Sequence, residues 1–196
     1  MPRIPAHDRC AQHLWRYGQP RHPGGGRLNA GHPLNLDREE IITMTQNAAA
    51  STYRTSHVGL CVSDLKKSLR FYRDGLGFEQ LAHYELDEQI PEVDAPCSLT
   101  STMIEKDGMR LELLAYSKPG VIGEPHHRRN HLGLTHLSFF ADDIDATAEA
   151  MVGYGGTLVP DSRCGLDDPA GAQFTFVADP DGNRIEFMHI PAGTAW

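Results

Sequence analysis

The chain has 196 residues, 40% of them hydrophobic, and a formal net charge of −8 at pH 7. That length holds one domain or two small ones, and the acidic balance argues against nucleic acid as a partner. No apolar run is long enough to cross a bilayer, so a membrane-spanning role is not expected.

The first 43 residues stand apart in composition. They carry six Arg and four Asp plus Glu, a net of +2, which leaves −10 on residues 44–196. Segment 18–33 contains Gly24-Gly25-Gly26, three prolines and no hydrophobic period. Such a stretch buries too little apolar surface to offset its ordering entropy. Residues 1–50 are therefore expected to be a disordered tail, with Met44 a candidate natural start. The tail histidines His7, His13, His22 and His32 are expected to be solvated. No apolar core follows the N-terminal arginine, which argues against a secretory signal. The four cysteines, Cys10, Cys61, Cys97 and Cys164, are far apart and form no C-x-x-C pair. Reduced thiols and a cytoplasmic setting are the expectation.

A globular domain is expected over 51–196. His57 to Val62 alternates as a strand, with His57, Gly59 and Cys61 on one face and Val58, Leu60 and Val62 on the other. Ser63-Asp64 offers an N-cap. Leu65, Leu69 and Tyr72 follow at helical spacing, widened by Phe71, and Gly75-Leu76-Gly77 stops the helix. Phe78 to Leu86, Leu99 to Glu105 and Met109 to Tyr116 read as strands, the last two joined by a turn at Asp107-Gly108. Residues 87–98 read as an acidic loop. The connection 117–133 contains His126-His127-Arg128-Arg129-Asn130-His131, expected to be a solvated loop, with an anion-recognising rim as the sharper alternative.

The same order then recurs. Thr135 to Ala141 is a strand, Asp142-Asp143 opens a helix to about Tyr154, and Gly155-Gly156 ends it. Thr157 to Pro160, Gln173 to Ala178 and Asn183 to Ile190 are strands. Asp179-Pro180-Asp181-Gly182 marks a turn before the last of them.

These two runs are a repeat. Asp107-Gly108-Met109-Arg110-Leu111-Glu112 matches Asp181-Gly182-Asn183-Arg184-Ile185-Glu186, and the strand that starts at His57 matches the one that starts at His136. A repeat of this length means a duplicated supersecondary unit. The fold class predicted is α+β: paired βαβββ modules, about 56–117 and 134–190, forming a curved, cup-like mixed sheet with flanking helices.

The duplication matches two histidines with two glutamates. In each glutamate strand the more apolar face, Leu111 and Leu113 or Ile185 and Phe187, is expected to meet a helix. Glu112 and Glu186 then occupy the uncovered face, as does His57. A pseudo-twofold axis would bring His57, Glu112, His136 and Glu186 into one cleft. Two carboxylates held close and partly out of water are costly, and one would have to take up a proton. A divalent cation removes the conflict, because two carboxylates and two neutral imidazoles around it sum to zero charge. The mixed N/O donor set suits Zn, Ni, Co, Mn or Fe. Arg110 and Arg184 are expected to pair with Asp107 and Asp181. Cys61 is expected to be a small buried hydrophobe, and His83, Tyr84 and Tyr116 to be packing or surface groups.

On these residues the chain resembles the vicinal oxygen chelate superfamily, which includes glyoxalase I, methylmalonyl-CoA epimerase, extradiol dioxygenases and the fosfomycin- and bleomycin-resistance proteins. The resemblance spans about 56–190. It implies metal ligands at His57, Glu112, His136 and Glu186, with Ni, Co or Zn favoured over Fe or Mn. The ligand set is most similar to bacterial glyoxalase I. That likeness implies isomerase or lyase chemistry by proton transfer next to a metal-bound carbonyl, on a small-molecule substrate. Glu186 is then the base and Glu112 mainly a ligand, and a homodimer is allowed. Such glyoxalases commonly carry Arg four residues after the first ligand and Asn four after the second. Cys61 and Tyr116 stand there, which leaves the thiol carrier and the substrate open. An extradiol dioxygenase would use His57, His136 and Glu186. A methylmalonyl-CoA epimerase usually has Gln where Glu112 stands. A drug-sequestering module would lack the ligand set.

Overall fold

The computed structural model describes residues 54–125, 128–165 and 171–192. The expected tail, residues 1–50, lies outside the described residues, as do His126 and His127. The first module runs β1 (Val58–Cys61), α1 (Leu65–Leu69), β2 (Glu79–Leu86), β3 (Ser98–Lys106) and β4 (Met109–Lys118). The second runs β5 (Leu137–Phe140), α2 (Ile144–Gly153), β6 (Thr157–Leu158), β7 (Gln173–Ala178) and β8 (Arg184–His189). Each module is an open, mixed four-stranded sheet, ordered β1-β4-β3-β2 and β5-β8-β7-β6. In both, the first strand runs parallel to the last, and the other pairings are antiparallel. The repeat thus reproduces its topology strand for strand. No helix among the described residues is long and apolar enough to cross a membrane.

Local chemistry explains the boundaries. Asp64 caps α1 by accepting from the Lys67 backbone N–H at 3.1 Å, and Asp143 caps α2 by accepting from Ala146 at 2.9 Å. After Leu69 the helix widens to a π-helical register over Arg70–Gly75. Leu76 N–H accordingly reaches back five residues to the Phe71 carbonyl. The widening puts Phe71 and Tyr72, adjacent in sequence, both fully into the core. Strand β6 stops at Leu158, two residues short of the expected Pro160, whose ring nitrogen has no proton to give a ladder.

One core serves both modules. Leu111, Leu113 and Ile104 of the first sheet cluster with Ile185, Phe187 and Val177 of the second, and with Phe71, Tyr72, Ile144 and Met151 of the helical segments. Phe78 meets Phe139 across the modules at 6.0 Å, edge to face. Gly156 sits where this packing leaves no room, since a Cβ there would fall 2.7 Å from Val177 Cγ1 and 2.8 Å from Phe71 Cε2. The helix-bearing faces of the two sheets are thus spent on each other. The glutamate-bearing faces are the opposite ones.

The turn at Asp179-Pro180-Asp181-Gly182 does more than reverse the chain. Asp179 accepts from the backbone N–H groups of Asp181 and Asn183 and from Asn183 Nδ2. Asp181 accepts from the Ser63 backbone N–H and from its hydroxyl, at the entry to α1. Asp181 is therefore engaged by the other module, where pairing with Arg184 was expected. Arg110 differs as well. Its Nε donates to Glu105 at 2.5 Å rather than to Asp107, because Glu105 and Arg110 are direct cross-strand partners in the β3–β4 register.

Candidate functional site

The register fixes where each candidate ligand points. Glu112 stands opposite Gly59 of β1 and Met103 of β3. Glu186 stands opposite Ser138 of β5 and Phe176 of β7. His57 and His136 lie just before β1 and β5, two residues ahead of Gly59 and Ser138, on the glutamate face by strand alternation. The result is two matched pairs. His57 Nε2 is 3.1 Å from Glu112 Oε2, and His136 Nε2 is 3.4 Å from Glu186 Oε2.

Within one chain the pairs stay apart. No group of three or more His, Cys, Asp or Glu with metal-holding geometry occurs among the described residues. The four-residue cleft expected from the repeat is therefore not formed by a single copy. The shared core is the physical reason, because it turns the two glutamate faces away from each other.

Each glutamate also has a hydroxyl partner that strand patterning did not single out. Ser101 Oγ donates to Glu112 Oε1 at 2.6 Å, and Ser138 Oγ donates to Glu186 Oε2 at 2.7 Å. The two hydroxyls do not correspond under the repeat. Ser138 occupies the place of Gly59, on the first strand of its module, whereas Ser101 comes from β3. Both oxygens of Glu112 are consequently engaged, one by His57 and one by Ser101. On Glu186 the same oxygen, Oε2, faces both His136 and Ser138, and Oε1 accepts no hydrogen bond among the described residues. Thr135 Oγ1 lies 2.9 Å from His136 Nδ1. A proton held on Nδ1 by that contact leaves the Nε2 lone pair facing the carboxylate.

The surroundings are unequal. Glu186 is buried, at 6% exposure, while the Glu112 side chain keeps 25%. The glutamate face of the second sheet is covered, contrary to expectation, by a small cluster of Cys164, Phe174 and Phe176 with Val159 and Met188. Cys164 pairs by backbone with Phe174 and is disulfide-bonded, where four reduced thiols were expected. Phe176 meets the His136 ring edge to face at 5.4 Å. On the first sheet, Cys61 is exposed rather than buried. Partial burial and the Asp181 carboxylate push its thiol above the ordinary range, which disfavours a reactive thiolate. Tyr116 stands on the Glu112 face by alternation, its phenol pushed up by burial and then by Cys61, Cys97 and Glu112. Tyr84 shares that face through its pairing with Ser101, but His83 does not. His83 pairs with the buried Thr102 on the helix side, Nδ1 to Oγ1 at 2.9 Å.

Comparison with known proteins places the family. Residues 54–187 match the model of the glyoxalase/bleomycin resistance protein/dioxygenase superfamily. A lactoylglutathione lyase from Haemophilus influenzae is 31% identical over 132 residues, covering 67% of this chain and 89% of that protein. A 2-epi-5-epi-valiolone epimerase from Actinomyces is 28% identical over 160 residues, covering 76% of this chain and 86% of that protein. Among solved structures, a glyoxalase family protein from Bacillus cereus superposes with a TM-score of 0.59 at 18% identity, covering 72% of this chain and 97% of that one. The chain therefore belongs to the glyoxalase/bleomycin resistance protein/dioxygenase superfamily.

Proposed function

We propose that this chain is a divalent-metal-dependent enzyme of glyoxalase I-like isomerase or lyase chemistry, with one metal site built from His57 and Glu112 of one copy and His136 and Glu186 of a second. The observation that carries the reading is the pair of His Nε2–Glu Oε2 contacts at 3.1 and 3.4 Å. An imidazole lone pair and a carboxylate at that distance repel unless a proton or a cation lies between them. The donor set fits a divalent metal of the Ni, Co or Zn kind, with Fe and Mn as further candidates. Members of the superfamily typically bind such an ion. A homodimer would complete this site, since among the described residues one copy brings two of the four candidate ligands together on each sheet.

When bound, the ion supplies Lewis acidity that favours negative charge on a substrate oxygen next to the reacting carbon. The remaining work falls to the protein. Glu186 takes the proton from that carbon and returns it to the same carbon or a neighbouring one. Its Oε1, which accepts no hydrogen bond among the described residues, is the oxygen available for the transfer. Ser138 and His136 hold Oε2, which fixes the carboxylate plane. Glu112 is held at both oxygens by His57 and Ser101 and serves as a ligand. The buried aromatic wall of Phe174 and Phe176 keeps water from the Glu186 side.

The lactoylglutathione lyase and epimerase relatives both favour this proton-transfer reading over ring cleavage. The catechol-2,3-dioxygenase of Bacillus subtilis is 26% identical, and this chain spans 46% of its length. Glu186→Gln should abolish turnover of an α-oxoaldehyde adduct while leaving bound metal in place. Full activity in that variant would remove Glu186 as the base.

A further inference from the structure

Arg129 lies exposed in the connection between the modules, yet its guanidinium rests over two aromatic rings. Its Cζ sits 5.0 Å from the Phe176 ring centroid and 5.9 Å from that of Phe174. Phe176 is the β7 residue directly opposite Glu186, and it also makes the edge contact with His136 at 5.4 Å. One ring thus contacts both the candidate ligand and a guanidinium. The two rings pack edge to face at 5.8 Å and 81°, so both contribute to the surface under the guanidinium.

The way Arg129 is held leaves it chemically unspent. A guanidinium lying over aromatic rings keeps its full charge, and no acceptor among the described residues takes its N–H donors. Arg129 makes no ion pair among the described residues, and its side chain is exposed. Other arginines differ. Arg110 is taken by Glu105. Arg163 gives its donors to Asp145, to the Cys164 carbonyl and to Gln173. Aromatic rings hold a cation without neutralising it, whereas a carboxylate partner would compete with any incoming anion. The platform therefore presents a full positive charge beside the His136–Glu186 pair, in a fork that matches two oxygens of one anionic group.

We infer that Arg129 is a specificity residue that binds an anionic group, a carboxylate or a phosphate, at the end of the substrate remote from the metal-bound carbonyl. This rests on the metal site proposed above. The substrate class is an α-hydroxycarbonyl or α-oxo compound, or an adduct of one, with an acidic substituent.

The test uses full-length protein loaded with Ni²⁺ or Co²⁺ and three hydroxamates that can chelate the ion. Acetohydroxamate is neutral at its far end, succinic monohydroxamate ends in a carboxylate, and phosphonoacetohydroxamate ends in a phosphonate. Affinities are measured by calorimetry for wild type, Arg129→Gln and Arg129→Lys. At least one acidic probe should bind wild type about 10-fold or more tighter than acetohydroxamate. The acidic probe that gains most identifies the preferred anion. Arg129→Gln should remove that advantage and leave acetohydroxamate unchanged, and Arg129→Lys should restore part of it. Equal losses for neutral and acidic probes in Arg129→Gln would overturn the inference and make Arg129 a packing residue. No change for any probe would overturn it too. Failure of acetohydroxamate to bind metal-loaded wild type would strike at the metal site itself, and the inference would fall with it.

Discussion

The Tyr72 hydroxyl donates to Asp179 Oδ2 at 2.7 Å, and this buried bond joins the helical segment of one module to the final turn of the other. Asp179 already accepts three donors from its own turn, so Tyr72 completes a carboxylate that is otherwise almost out of water. Hydrogen bonds here, at Ser63–Asp181 and from Arg70 to the Gly153 carbonyl tie the modules together, in addition to their common core.

Tyr72→Phe should cost about 1.5–3 kcal/mol, the usual range for a hydrogen bond to a charged group. It should also change the alkaline limb of stability. Burial, and then the Asp179 charge, push the Tyr72 phenol well above its ordinary value of 10.0. A raised folded-state value means stability is fully present below pH 10 and falls as pH rises above it, because the unfolded chain ionises first. Urea unfolding at pH 8 and pH 11 should show a steeper loss in wild type than in Tyr72→Phe.

Gly156→Ala should destabilise by about 1–3 kcal/mol. The added methyl meets Val177, Phe71 and the Met151 carbonyl oxygen at 3.0 Å or less, so neither side can yield without disturbing the common core. Thermal unfolding compared with Gly153→Ala, where a Cβ meets nothing within 4 Å, separates crowding from any general effect of replacing glycine near the end of α2.

Ser138→Ala and Ser101→Ala should each lower divalent-metal affinity about 10- to 100-fold, the usual effect of removing a partner that orients a ligand. Ser138→Ala should in addition lower kcat, since Ser138 holds the carboxylate assigned to proton transfer. Ser101→Ala should leave kcat of the metal-saturated enzyme largely intact. Competition with a fluorescent chelator and turnover at saturating metal give the two readouts.

Much of the architecture was legible because the repeat carried it. The βαβββ order, both N-caps and the turn at Asp107-Gly108 follow from spacing, and the strand ends fall within two residues of those expected, as with β6. The π-helical register at Arg70–Gly75 was not legible, because Phe71 and Tyr72 also fit an ordinary helical stripe. The Glu105–Arg110 pair required the strand register, which sequence leaves open. Ser101 and Ser138 look like any half-exposed strand serine. Only the register places one opposite Leu114 and the other opposite Glu186. The separation of the two His/Glu pairs was hidden for a deeper reason. The repeat tells which faces are equivalent, but not whether two equivalent faces turn toward one another or away.

The most direct measurement is the metal content of mixed dimers. One parent carries His57→Ala and Glu112→Ala, and the other carries His136→Ala and Glu186→Ala. Neither parent should retain stoichiometric metal after dialysis. Dimers reassembled from equal amounts of both, and purified through distinct tags, should hold about one divalent ion per mixed dimer, at a site completed by the intact pair of each copy. Metal retained by either parent alone, or mixed dimers that bind none while wild type binds it, would contradict a centre shared between His57, Glu112, His136 and Glu186.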